Sequence, residues 1–212
     1  MQQPTDLTPR RGFFSRIAGI SAFGLFGLAT TTVRAQVAQS DGPDWPGALK
    51  GRHKQVFDVS EMNGGSPLGF TNNFLTPNES ATAVLVFRHN GTPYAVGSAI
   101  WAKYKIGESL KIIDPETKAP ALKNPWFQPK PGVLANNDAA LDRLLARGTL
   151  VGVCSVSLRG RAQRLAANAG VTAEEAIKEW TANLIPGATV IPSGTWGVNR
   201  AQEAGCTYCA TG

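Results

Sequence analysis

The chain has 212 residues, 42% of them hydrophobic and 17% charged. That balance suits one domain of ordinary size, alone or with an appendage, and excludes disordered, collagen-like and coiled-coil chains. A formal net charge of +6 first invites a nucleic-acid or membrane reading, while three cysteines are too few for a disulfide scaffold.

Residues 1–35 read as an export signal rather than as part of the fold. Arg10 and Arg11 stand just before Phe13 and Phe14, and residues 17–29 follow as an apolar run diluted by Gly19, Gly24 and Gly27. Val33 and Ala35 then put small residues at the −3 and −1 positions of a cleavage site before Gln36. This order of charged, apolar and small residues is that of a twin-arginine signal peptide. The run is shorter than the ~20 residues that a spanning helix needs. The expectation is therefore a periplasmic protein that meets the membrane only during export. Residues 36–51 read as an exposed leader and residues 52–212 as the domain. The signal holds four arginines and one aspartate, so the remainder has 17 basic and 14 acidic residues, a net charge of +3. Lys50, Arg52 and Lys54 match that excess, and no nucleic-acid partner is expected.

Five segments read as strands. Residues 54–59 form a short β-prone run, and 82–87 a continuous apolar one, as a buried parallel strand should be. Residues 150–153 and 188–191 repeat that pattern, and 206–210 offer a short edge strand. Helical spacing appears over 94–104, with Ile100, Trp101 and Tyr104 on one face, and over 137–147, with Leu141, Leu144 and Leu145. Thr172 with Glu175 three residues later is a capping box, opening a helix that carries Ala176, Ile177, Trp180 and Leu184 inward. A last helix runs from about 193 to 204 and stops at Gly205. Strands alternating with helices predict an α/β fold, a flavodoxin-like and mainly parallel sheet of about five strands with helices on both faces. The proline-rich stretch 105–135 reads as a lid, hairpin or subunit contact rather than core.

In open α/β sheets, sites gather beyond the carboxyl ends of the strands. Those ends carry Ser60, Glu61, Met62 and Asn63; then Arg88, His89, Asn90 and Gly91; then Cys154, Ser155 and Ser157; then Ser193 and Gly194. Cys154 is the most informative of them. At a strand-to-helix turn, backbone N–H groups and the helix N-terminus favour a thiolate nucleophile, and Arg159 and Arg161 can add positive potential. A buried structural cysteine is the alternative. His89 can position or deprotonate a thiol or ligand, or simply be hydrogen-bonded at a loop start. Cys206 and Cys209 have redox or metal spacing, but on a strand they face opposite sides, ~10 Å apart and beyond disulfide reach. Ala210 follows rather than histidine, which excludes c-type haem attachment. Dinucleotide, Walker A, nucleophile-elbow and zincin motifs are absent from the sequence.

The runs 154–160 (Cys-Ser-Val-Ser-Leu-Arg-Gly), 184–194 (Leu-Ile-Pro-Gly-Ala-Thr-Val-Ile-Pro-Ser-Gly) and 199–208 (Asn-Arg-Ala-Gln-Glu-Ala-Gly-Cys-Thr-Tyr) resemble the DsrE/DsrF-like family, linked to sulfur oxidation and sulfur relay. The tip 86–91, with His89 and Gly91, is similar to the family's second-strand end. The resemblance covers roughly 53–210 and is most specific from 150 onward. It implies a flavodoxin-like sheet, assembly into homo-trimers or hexamers, and a persulfide carried at Cys154, with His89 as a looser match. No cofactor or metal is expected, and the partners the resemblance implies are a sulfur donor or acceptor protein or a small sulfur compound. The expected function is a periplasmic sulfur carrier or sulfurtransferase-like protein. The alternative is a non-enzymatic oligomeric module that binds a ligand or partner at the same sheet edge. A weaker third option is thiol–disulfide exchange through Cys206 and Cys209.

Overall fold

The computed structural model describes residues 46–212. The export signal and most of the leader lie outside them. Five strands form one sheet: β1 (His53–Val59), β2 (Ala81–Phe87), β3 (Leu150–Cys154), β4 (Ala188–Ile191) and β5 (Thr207–Ala210). Their order is β4-β3-β2-β1-β5, and every neighbouring pair is parallel. The sheet is therefore the flavodoxin-like α/β type expected from the alternating pattern. The apolar runs that marked β2 and β3 are buried along nearly their whole length, as strands covered on both faces must be.

Three successive crossovers step in one direction, from β1 to β4, and a fourth returns across the sheet to β5. Right-handed crossovers in opposite directions put their helices on opposite faces. On the first face lie α1 (Ser66–Leu75), α2 (Ile106–Leu110), α3 (Leu141–Ala146), α4 (Ser155–Leu165) and α5 (Ala173–Ala182). Their Leu68, Ile106, Leu144, Leu158 and Trp180 pack with Phe57, Leu85, Phe87 and Val153 in the main core. The second face carries α6 (Gly194–Glu203), whose Ala201 packs with Val56, Val84, Val86 and Ile191. Strand alternation sorts the sheet between the two cores, with Val56 and Val84 on the α6 face and Phe57 and Leu85 on the other.

Several local signals are realised. Thr172 and Glu175 form both hydrogen bonds of the capping box that starts α5. Ser193 caps α6 by accepting the Trp196 N–H, and Gly205 follows that helix with φ +92°. Two expectations are corrected. Residues 94–104 do not form an α-helix: 3-10 turns span His89–Ala95 and Ser98–Ile100, with Pro93 inside the first. Ile100, Trp101 and Tyr104 are nevertheless fully or almost fully buried. Their spacing therefore reports burial rather than helix. Stretch 105–135 does contain a hairpin-like bridge, between Ile113 and Pro120, but it also sends Ile106, Ile112, Ala121 and Trp126 into the main core. Much of it is core, not a lid.

Candidate functional site

Cys154 is the last residue of β3 and the N-cap of α4, at φ −58° and ψ 113°. Its Sγ accepts the Ser157 N–H at 3.4 Å. One of the donors left unsatisfied at the start of the helix is thus directed at sulfur. Next to it, the Ser155 hydroxyl donates to the Pro192 carbonyl at 2.7 Å, which ties the start of α4 to the end of β4. Cys154 is 5% exposed. In register it lies opposite Ile191, on the α6 face of the sheet.

Arg88, just past β2, fixes the charge beside that thiol. Its Nε and Nη2 donate to Oδ1 and Oδ2 of Asp58 at 2.6 and 2.9 Å. The Tyr208 hydroxyl donates to Oδ2 at 3.1 Å, and the Thr211 hydroxyl donates to the Asp58 backbone carbonyl at 2.8 Å. The hydrogen bond to Asp58 is the main cause that raises the Arg88 pKa; burial opposes it, and Asp58, Tyr208 and Cys154 add favourable charge interactions. Any negative charge on Sγ therefore lies in the field of a guanidinium that is already oriented.

His89 occupies the turn between these groups. Its φ is +47°, in the left-handed region, and its backbone N–H donates to the Ser157 Oγ at 3.0 Å. The side chain is exposed, and among the described residues no hydrogen bond joins the imidazole to Cys154. The structure thus attaches the main chain of His89, rather than its ring, to the first turn of α4.

On the opposite side of this turn lies a cleft of about 560 Å³. Asn90 Nδ2 donates to Glu61 Oε1 at 2.5 Å, and Arg161 Nη2 donates to Asn90 Oδ1. Tyr94, Lys111 and Trp126 complete the part of the lining that matters chemically. The strand-end residues therefore do gather at one edge of the sheet, but in two groups: Cys154 with Arg88 on the α6 face, and Glu61 with Asn90 at the cleft.

Sequence reasoning missed Asp58, although residue 58 faces the α6 side with Val86 opposite it in register. The available signal was two-residue alternation from the apolar Val56. It also left the direction of Arg161 open. Cys206 and Cys209 part as expected: Cys206 joins the core under α6, and Cys209 packs against the main core on the other face. All three cysteines are free thiols. Burial pushes Cys206 up to about 11, only partly opposed by Lys54, so it is a poor nucleophile. Among the described residues, no three His, Cys, Asp or Glu side chains are grouped to hold a metal ion.

Neither models of known protein families nor curated proteins match the chain. Among solved structures, the chain is similar to a protein of unknown function from Methanobacterium thermoautotrophicum, with 15% sequence identity and a TM-score of 0.44. The match covers 76% of this chain and 100% of that one.

Proposed function

We propose that this protein is an exported sulfur carrier of the DsrE/DsrF-like kind, working in the periplasm as a homo-oligomer (trimer or hexamer), with Cys154 holding a persulfide. The observation that carries the reading is the Ser157 N–H directed at Sγ at the head of α4, within the field of the Arg88 guanidinium. A hydrogen-bond donor and a cation are the partners that an anionic persulfide needs.

The step needs no external oxidant. The Cys154 thiolate attacks the terminal sulfane sulfur of a donor, the donor's S–S bond breaks, and its electron pair leaves with the remaining thiolate or sulfite. The product is Cys154–S–S⁻, and the same exchange in reverse loads an acceptor thiolate. Because Cys154 is 5% exposed, a slender donor such as thiosulfate or a polysulfide fits the route better than a bulky disulfide. His89, exposed at the adjoining turn, is a contact for the incoming partner in this scheme.

Intact-mass measurement after treatment with polysulfide tests the proposal. The expected result is a gain of about 32 Da, one sulfur atom, that dithiothreitol removes and that Cys154→Ser abolishes. No gain on the folded wild-type chain, or a gain that persists in Cys154→Ser, sinks it.

A further inference from the structure

The cleft across the turn from the thiol has a chemistry of its own. Arg161, in the second turn of α4, is only partly exposed and lines the cleft. Among the described residues it has no carboxylate within ion-pair distance; the side-chain partner it does have is the neutral Asn90 oxygen. Asn90 in turn holds Glu61 through its amide nitrogen. One amide thus stands between the acid and the base, and a guanidinium with five donors keeps several of them for something else. Lys111, exposed on its turn, adds a second cation to the lining.

The rest of the wall combines apolar and aromatic side chains with the polar Asn63 and Ser109. Tyr94 and Trp126 are buried at 9% and 7% exposure, while Ile113 is 51% exposed. Burial pushes the Tyr94 phenol up to about 12, with Glu61 adding to the shift, so it is a neutral hydroxyl at ordinary pH. Burial also lowers Arg161, with Arg164 adding and Glu61 opposing. An anion arriving at the guanidinium would offset that desolvation cost. The volume of about 560 Å³ lies within the range of small-molecule sites.

We infer that this cleft binds a small monocarboxylate on a flat apolar body, its charged end on Arg161 and its body against Tyr94 and Trp126. A single negative charge suits the site better than a phosphate dianion, because Glu61, one amide away from the guanidinium, repels added charge. The inference does not depend on Cys154 and goes beyond the sulfur-carrier reading.

Calorimetric titration of the full chain with benzoate, phenylacetate and indole-3-acetate tests it, alongside their neutral amides and inorganic phosphate. At least one carboxylate should bind with a Kd below about 1 mM, and its amide about tenfold more weakly or worse. Arg161→Gln should cost the same factor, and Cys154→Ser should change nothing. Ile113→Glu places a like charge on an already exposed wall position, so it should abolish binding without a loss in Tm. Absence of binding by all three carboxylates overturns the inference. So does equal binding of acid and amide, tighter binding of phosphate, or binding indifferent to both Arg161→Gln and Ile113→Glu.

Discussion

Arg88 reaches from the end of β2 across to β1 and grips both carboxylate oxygens of Asp58, at 2.6 and 2.9 Å. Asp58 is 7% exposed. A carboxylate this deep needs partners for both oxygens, and Arg88 and Tyr208 supply them. The pair holds a cation near Cys154 without that cation having to be pinned by the thiol itself. Asp58→Asn should therefore destabilise the fold by about 2–3 kcal/mol, through a weakened bidentate bond and a half-buried guanidinium left short of charge. Urea unfolding at neutral pH measures this directly.

Arg88→Gln removes the positive charge that acts on Cys154. Alkylation of Cys154 by the anionic reagent iodoacetate should slow by about three- to tenfold relative to neutral iodoacetamide, because the guanidinium draws the anion to the site. Peptide mass spectrometry, with Cys209 as the internal reference, reads both rates. An unchanged ratio at Cys154 would show that the guanidinium contributes nothing to the approach of an anion to the thiol.

How α6 sits over this site was only partly readable. A Cβ added at Gly194 would lie 2.7 Å from Arg88 Cδ, and one at Gly91 would lie 2.2 Å from the Val59 carbonyl oxygen. The first obstacle is a side chain and the second is backbone, so the two sites should respond differently. Gly194→Ala should cost about 1–2 kcal/mol and displace Arg88. Gly91→Ala should cost more, since the end of β1 cannot swing aside. Chemical denaturation ranks them, and a reversed ranking would mean that Arg88 is held more rigidly than the strand end.

Strands β2 and β3 were legible because buried parallel strands are short continuous apolar runs. Helix α5 was legible because Thr172 and Glu175 form a reciprocal cap, a signal independent of tertiary context. By contrast, α1 begins after Gly65 with no side-chain cap and carries Gly69 within it, so apart from Pro67 in its first turn it offers little start signal and no strong propensity. Cys154 was visible because a strand and a helix meet at one residue. The pairing of Asp58 with Arg88 was not, because it depends on which strands are neighbours and in what register. Arg161 was hidden for a similar reason: Arg159, Arg161 and Arg164 share one helix, and only packing decides which of them lines the cleft.

A second ionic cluster, remote from the thiol, sets an acid limit on stability. Glu179 on α5 accepts hydrogen bonds from Lys103 Nζ at 2.6 Å and from the Tyr104 hydroxyl at 2.7 Å. The bond from Lys103, then that from Tyr104, holds the carboxyl below its usual value of 4.5, against the effect of burial. A carboxylate lowered in the folded state adds stability that is fully present above its unfolded value and is lost as pH falls through the folded one. Glu179→Gln should thus lower the Tm by about 2 °C at pH 7, with the side chain's partial exposure limiting the effect. The gap from wild type should close as pH falls from 4.5 toward 3. Thermal scans at pH 7, 5 and 3 would show a constant gap if the effect were packing rather than charge.

The cysteine pair near the C-terminus offers the last test, because it separates thiol transfer from thiol–disulfide exchange. Cys206 enters the core beneath α6, while Cys209 lies on β5 toward the opposite face. Closing a bond between them would require the edge strand to leave β1, with which it is paired from Thr207 to Ala210. Protein isolated without reductant should therefore titrate as three free thiols in denaturant. In the native state, Cys206 should react slowest of the three, because burial keeps it protonated at neutral pH. Its rate should rise by about a hundredfold or more on unfolding, because in the folded state the thiol must wait for local opening. A 206–209 disulfide in the isolated protein would instead mean that β5 detaches in solution, and would restore the exchange reading that the sheet geometry opposes.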